Sequence, residues 1–582
     1  MLLNGSSLNG APLNGGTGQA QVIEVAAAPA FVWRALVTLG GVDVSARLIG
    51  EVSVDREEGA AGVAEFVLFY PPGDAVPTDI TDRAVTVDLI STTGGVTSQT
   101  RRFTGVVAEP TWDALNRTLA ITATDNLQQR VEALSVVQID ALVGGLWSTD
   151  VFDELEGRSR WDYAQERLST RTASLDCSPS GQLRVVSWYA ALAPHYVFGP
   201  GTTLYQSVNV ELAQLRNVTN RLELEVAYRY SRFREHRQSY TWSHPGTQGL
   251  GGIQGFCAWR QDSTELPDIS MVIGSVGDGG QVPVSADWYR LPPTMANPCG
   301  DGAAWVNNNE DLLLGASLVG ALRWVQTVTE TYNLILTTEA GQVEGQQVIS
   351  RDGTSFEIEP PEGWEDSLKP ITGSADGNGE IADPAPGLGE PGDRDDETRR
   401  TATLGLLLHK AHTEIIAAHR ETRVSWAVPT PMALNIDLLH TLKLEDQYVR
   451  AMGKCSRLTD RLNFETGECL TELTISVMRG GGEGDPLAIP ARPGALPPEE
   501  GGGITGSGLA TQLGGKFTSP AYDDELDGFA GNYSSVQDTE LEVFPRRMDV
   551  EAAEIPAELR DEHQASTTVT YRVAIPNDLL EL

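Results

Sequence analysis

The sequence predicts a mainly β protein with some α structure (α+β), and three observations predict it. Val85, Val87 and Leu89 fall on one side of an extended run, and Leu119, Ile121 and Ala123 on one side of another, with mostly polar residues between. A period of two marks half-buried antiparallel strands. The run 221–230 repeats the pattern, with Leu222, Leu224, Val226, Tyr228 and Tyr230 sharing a face. Composition agrees: 60 Gly and 32 Pro in 582 residues, with few long helical patterns, describe a β-rich, loop-heavy chain. That length exceeds what one core serves and predicts roughly three or four domains.

Residues 1–30 read as a flexible or partner-ordered arm. Leu3-Asn4-Gly5, Leu8-Asn9-Gly10 and Leu13-Asn14-Gly15 repeat every five residues, and Asn-Gly favours turns. Residues 31–145 read as a first β-barrel. A strand at 31–39 bends at Gly40-Gly41, and strands at 48–54 and 62–70 end in the turn Pro71-Pro72-Gly73-Asp74. The run from Val85 turns at Gly94-Gly95 into Arg101-Arg102-Phe103-Thr104-Gly105-Val106-Val107. A last strand at 119–125 leads to a short helix that Asp125 or Asn126 is placed to cap. About six or seven strands suffice to close a small barrel.

Residues 146–204 change character and read as a small mixed α/β domain. Helical spacing over 161–168 precedes a hairpin of Ser174-Leu175-Asp176-Cys177 and Leu183-Arg184-Val185-Val186, turning on Pro179-Ser180-Gly181. Residues 236–319 read as an insertion, with Trp242, Trp259, Trp288 and Trp305 among Gly, Pro and Asn. Alternation returns at 322–336, and 360–397 is an acidic Gly/Pro loop. A helix over 401–421 carries the apolar stripe Leu404, Leu408, Ala411, Ile415 and Ala418. Strands at 423–427 and 441–445 precede a hairpin over 451–477. Residues 481–515 are a linker, and 516–582 an acidic C-terminal extension with one good strand at 568–575.

The formal net charge is −38, from 42 Lys and Arg against 80 Asp and Glu. Such a surface repels phosphate and is a poor wrapper of nucleic acid. Two readings of the acidity stand: solubility of a large assembly, or a wall past which DNA slides without sticking. No apolar run approaches a bilayer span, and the N-terminus lacks the basic region and apolar core of a signal peptide.

Cys177, Cys257, Cys299, Cys455 and Cys469 show no CxxC spacing, and their odd number points to reduced thiols. A turn at Thr466-Gly467 predicts Cys469 across from Phe464 and Cys455 across from Met478, at different heights and beyond disulfide reach. His409, His412 and His419 lie within one quadrant of the 401–421 helix. No carboxylate or water-holding motif completes a metal site there, so the helix reads as an interfacial surface. Among 80 acidic residues carboxylate pairs arise by chance, and there is no Gly-x-Ser-x-Gly elbow, His-Glu-x-x-His or Walker loop. The sequence therefore names no catalytic, cofactor-binding or metal-binding residue.

Phe103-Thr104-Gly105-Val106-Val107, followed by Thr122-Ala123-Thr124-Asp125 and a short helix, resembles the first barrel domain of the tail hubs of long-tailed phages. That family comprises the baseplate hubs of contractile phages and their counterparts in flexible-tailed, siphovirus-like phages. Residues 146–204 resemble its small mixed second domain. A helix ending in His419-Arg420, a strand into Pro429, then Gly453-Lys454 and Asn463-Phe464-Glu465-Thr466-Gly467 resemble its second barrel. Cys455 stands where the family more often has an aliphatic residue.

The resemblance implies that 205–235 and 320–480 form a second hub barrel. It implies a structural virion protein of the tail tip or baseplate, made in the host cytoplasm and assembled as a homotrimer. Three chains with two barrels each would meet a six-fold tail tube or distal tail protein at one end. The other end would offer three-fold symmetry to tail-tip, spike or fibre proteins, with DNA passing through the lumen on ejection. It implies no enzyme activity, no cofactor, no specific nucleic-acid binding and no stable membrane insertion. Iron–sulfur sites occur in some flexible-tail tips, but these cysteines lack a cluster spacing. The alternative is a receptor- or carbohydrate-binding tail protein with the scattered Trp residues as sugar platforms; a tail-tip cell-wall hydrolase stands behind it.

Overall fold

The computed structural model describes residues 22–26, 30–214, 218–243, 269–290, 313–342, 349–359, 394–493, 505–508 and 554–582. The Leu-Asn-Gly repeat, Trp259, Trp305, Cys257, Cys299 and nearly all of the 360–397 loop lie outside the described residues.

The chain opens with β1 (Ile23–Val25), β2 (Phe31–Leu39), β3 (Val42–Asp43), β4 (Leu48–Glu57), β5 (Val63–Phe69), β6 (Ala84–Thr93), β7 (Val96–Asp113) and β8 (Thr118–Thr124). The alternation expected of β6 and β8 is real: Val85, Val87, Leu89, Leu119, Ile121 and Ala123 are buried in one core with Phe66 and Phe103. Gly94 and Gly95 make the β6–β7 turn, with φ of 57° and 83° as a tight hairpin turn requires.

Helix α1 (Leu127–Glu132) follows β8. Asn126 occupies the N-cap position in a left-handed conformation, and its side chain makes no cap bond. Asp125 is the residue that caps, accepting the Leu127 N–H at 3.1 Å and the Gly62 N–H at 2.8 Å. Next come α2 (Val136–Val143), α3 (Arg160–Leu168), β9 (Ala173–Cys177) and β10 (Leu183–Ser187). Leu127, Val131, Ile139, Val143, Tyr163 and Leu175 share one core, so α1 and α2 pack with the small mixed unit rather than inside the first sheet.

The rest of the chain supplies β11 (Tyr196–Phe198), β12 (Asn209–Glu211), β13 (Arg221–Ser243), α4 (Ile269–Asp278), β14 (Val282–Arg290), β15 (Leu313–Thr337) and β16 (Ile349–Glu357). After these come α5 (Glu397–Ala418), β17 (Thr422–Pro429), β18 (Thr441–Glu445), β19 (Arg450–Asn463), β20 (Cys469–Val477), β21 (Thr505–Gly508), α6 (Ala557–Arg560), β22 (His563–Arg572) and β23 (Leu580–Glu581). Two predicted strands are far longer than expected: β13 reaches Ser243 and β15 starts at Leu313, so both run into the supposed insertion. Strand β22 begins ahead of the predicted 568–575 and stops at Arg572.

Pairing corrects the barrel expectation. Among the described residues no sheet closes. The strands of 31–145 run in the order β4-β5-β8-β7-β6-β2-β3, and the free edge of β4 is taken by β19, from Glu57↔Arg457 to Glu51↔Asn463. A strand already paired on both sides has no edge left to meet β2, so the first unit stays open and continues into the second. The strands expected in a single second barrel divide between two sheets. β17, β18, β19 and β20 belong to this 15-stranded sheet, whereas β13 and β15 lie in a six-stranded sheet with β14, β16, β21 and β22. The apolar stripe of α5 covers that second sheet: Leu404, Leu408, Ala411 and Ile415 are buried with Leu224, Val226, Tyr228 and Leu334.

The β19–β20 turn is also wider than predicted. Asn463 donates its N–H to Glu468 O at 2.8 Å, which places Cys469 across from Leu462, and Cys455 across from Ile475. The thiols still stand at different heights, and Cys177, Cys455 and Cys469 are free and buried.

Two glycines of the hub-like words mark close strand approaches. A Cβ on Gly105 would stand 2.2 Å from the Thr124 carbonyl oxygen, and one on Gly453 2.3 Å from that of Ser476. Both obstacles are backbone and cannot rotate away. Gly105→Ala should therefore destabilise the fold by about 1–3 kcal/mol. Gly199→Ala, where a Cβ meets nothing within 4 Å, should stay within about 0.5 kcal/mol. Denaturant midpoints of the two variants give the comparison, and equal midpoints would refute the close approach.

Candidate functional site

The sequence singles out no reacting group. No cluster of three His, Cys, Asp or Glu residues among the described residues is placed to hold a metal ion. On α5, His409 Nδ1 lies 2.8 Å from Gly405 O. Burial pushes the His412 imidazole down to about 4. Burial likewise pushes the thiols up, Cys177 and Cys455 to about 12 and Cys469 to about 11, far from thiolate character at neutral pH. Several tryptophans are committed to packing: Trp426 is fully buried, and Trp33 donates its indole N–H to Gly467 O at 3.1 Å beside Phe464. Trp288 is half-buried on β14. No helix among the described residues is long and apolar enough to cross a membrane.

What the fold does build is a buried ionic junction where the first sheet, the small mixed unit and β17–β20 meet. A β-bulge between the pairs Val87↔Phe103 and Asp88↔Arg101 leaves Arg102 as the extra residue. The bulge breaks alternation, so Arg102 and Phe103 are buried side by side. The Arg102 guanidinium meets the Asp460 carboxylate of β19 in a bidentate pair at 2.7 and 2.9 Å. It donates a third bond to Leu434 O at 3.0 Å, and Thr471 Oγ1 donates to Asp460 at 2.6 Å. Planar fork against planar carboxylate fixes angle as well as distance.

A second chain of charges runs beside it. Asp437 accepts from Arg56 of β4 at 2.7 Å and from Arg184 of β10 at 2.5 Å, and Arg184 reaches Asp176 of β9 at 2.6 Å. Burial alone would raise the Asp437 carboxyl, but the Arg184 hydrogen bond and the charges of Arg56 and Arg184 hold it well below the usual range. Asp176, with less compensation against burial, is raised to about 6. Glu58 pairs with Arg420 at the end of α5, and burial lowers the nearby Lys454 to about 8. The hairpin turn of the small unit is pinned to the same place. Thr104 Oγ1 donates to Pro179 O, and Arg130 to Gly181 O, each at 2.8 Å. Helix α5 is tied to this unit separately, by Arg399 and Thr403 on Asp150.

Arg102, Asp460, Asp437 and Arg184 engage one another closely, whereas Arg56 Nε and Nη2, Asp176 Oδ2, Glu58 Oε1 and Arg420 Nε are buried without a hydrogen-bond partner. Chemically the junction can hold three units in one geometry. Sequence reasoning missed it. The only signal was the Arg101-Arg102 doublet, which interrupts an alternating run, and nothing marked a partner 358 residues away.

No family model matches the chain, and no curated protein matches it. Among solved structures it is similar to the tail protein from Neisseria meningitidis MC58, at 10% identity and TM-score 0.37, over 76% of this chain and 96% of that one. It is similar to the 43 kDa tail protein of prophage MuSo2 from Shewanella oneidensis, at 9% identity and TM-score 0.36, over 76% and 96% of the two chains. A third is prophage tail protein gp18 from Listeria monocytogenes EGD-e, at 7% identity and TM-score 0.29, over 76% and 94%.

Proposed function

We propose that this chain is a structural tail protein of a long-tailed phage, and within the tail the hub. One observation carries the reading. The two stretches that resemble hub barrels, 103–125 and 453–467, lie on strands of one continuous sheet that β4 and β19 join edge to edge. Around that join the fold spends its buried charges on rigidity rather than on a reacting centre. A part that transmits position between a tail tube and a tip needs that property. In the hub reading three copies surround a lumen through which DNA passes on ejection. The chain's net charge of −38 keeps phosphate from adhering to the wall. Tail-tube or distal tail proteins would cover one end and tip, spike or fibre proteins the other.

Mass photometry of the full chain at micromolar concentration is expected to show a trimer. Image averages of the virion tip are expected to show three-fold symmetry at this protein's position. Monomers and dimers alone, together with a tip lacking that symmetry, would overturn the hub assignment.

A further inference from the structure

His195 and His440 stand at the foot of β11 and β18, the second and third strands in the β1-β11-β18-β19 order of the large sheet, beside the junction but outside its ion pairs. His195 leads into β11 and His440 into β18, and these strands pair in parallel from Tyr196↔Leu442 to Phe198↔Leu444. The imidazoles meet edge to face with centroids 5.3 Å apart, and the Tyr196 ring stands 5.2 Å from that of His440. Each Nδ1 accepts a backbone N–H: His440 from Asp437 at 3.0 Å, His195 from Thr441 at 2.9 Å. Only a neutral imidazole carrying its proton on Nε2 can accept there.

The surrounding backbone hangs from the same two residues. His195 N donates to Thr441 O at 2.8 Å, Cys455 N to His440 O at 3.0 Å, and Ile23 N of β1 to His195 O at 3.0 Å. Ala191 N donates to Thr441 Oγ1 at 2.7 Å. A proton on either Nδ1 would set two N–H groups against each other and remove a bond that fixes the start of β18.

We propose that His195 and His440 form an acid-sensitive latch, which fastens the β1–β11 ribbon to β18 when neutral and releases it when protonated. The inference goes beyond the hub reading and does not depend on it.

The groups facing the pair decide its sign. Lys454 of β19 opposes a further positive charge on both rings, and itself faces Glu58, Asp176 and Arg184. Asp437 favours a charged His440, but its carboxylate is already engaged by Arg56 and Arg184. Tyr196 carries no charge at these pH values. Burial, reinforced by His195 and Lys454, takes His440 from 6.5 to about 4, and burial with Lys454 lowers His195. The closed latch thus binds protons more weakly than an open one. Closure holds fully above about pH 6.5, weakens as pH falls below that, and levels off only below about pH 4. For His440 alone, the closing equilibrium near pH 5 is about twentyfold weaker than near pH 7.

Hydrogen–deuterium exchange on the full chain near these two pH values, corrected for intrinsic exchange, tests the latch. Peptides over 191–199 and 438–446 should exchange at least about tenfold faster near pH 5, while peptides over β6 and β8 keep their protection. In the H195N/H440N double variant the amide oxygens can accept the same N–H groups without titrating, and the pH dependence should vanish. Equal protection of 191–199 at both pH values overturns the proposal, as does pH dependence that survives in the double variant. Should that variant fail to fold, the wild type alone still decides: loss of protection spread equally over β6 and β8 means global acid unfolding and no latch.

Discussion

Asp460→Ala should destabilise the protein by about 3–5 kcal/mol, the usual penalty for stranding one member of a buried ion pair. Arg102 and Asp460 are 2% and 1% exposed, so neither charge has water to fall back on. The variant leaves a guanidinium with Leu434 O as its remaining partner, and Thr471 loses its acceptor. Because β7 and β19 belong to halves of the sheet joined through β4, the damage should appear as early loss of the β4–β19 pairing. Denaturant unfolding followed by exchange on peptides from both strands measures it. The pair is not expected to be a large net source of stability. Replacing both charges, as Arg102→Met with Asp460→Leu, should restore most of what the single variant loses, because desolvating two ions offsets much of their attraction. A cost below about 1 kcal/mol for Asp460→Ala would mean that water reaches the guanidinium after all.

Strand faces were legible in the sequence where the backbone keeps its period. Val85, Val87 and Leu89, or Leu222 through Tyr230, needed only alternation, since successive side chains take opposite sides of a strand. Alternation failed where the ladder is irregular. At Arg102 a bulge puts two consecutive residues inside, and at Ser456 another bulge interrupts β19, so that Lys454, Cys455 and Ser456 are all buried. A local pattern cannot announce either event. The Cys469 register slipped for a related reason, because the turn closes from Asn463 to Glu468 rather than at Thr466-Gly467 alone. Which edge meets which was beyond reach entirely. The β4–β19 pairing joins residues some 400 positions apart, and its best clue, Asp55 receiving Arg457 at 2.6 Å, looks like any surface charge pair in the sequence. Barrel closure rests on strand number in the first unit and on the family resemblance in both, and neither reveals a competing edge.

Val226→Asp should severely destabilise the six-stranded sheet. Val226 is 1% exposed on β13, opposite fully buried Tyr332 on β15 and beside Thr354 on β16. The sheet already accommodates one buried carboxylate nearby, Glu330, and does so with a full set of partners. The Tyr332 hydroxyl donates to it, Arg492 stands 3.6 Å away, and Arg400 holds the Tyr332 hydroxyl at 3.0 Å. Position 226 shares its core with Leu224, Tyr228, Leu334 and the apolar stripe of α5. An unpaired carboxylate there must stay protonated or draw water into the core, at a cost of several kcal/mol, about 3–5. Val226→Ala removes only methyl groups and should cost about 1–3 kcal/mol. The expected ordering is therefore wild type, then alanine, then aspartate, read as resistance of β13 and β15 to limited proteolysis. Because protonation relieves the penalty, the aspartate variant should recover part of its stability as pH falls toward about 4, opposite to the latch at His195 and His440. An aspartate variant as resistant as the alanine variant at neutral pH would show that this face of β13 reaches solvent and that the packing of α5 on the sheet is wrong.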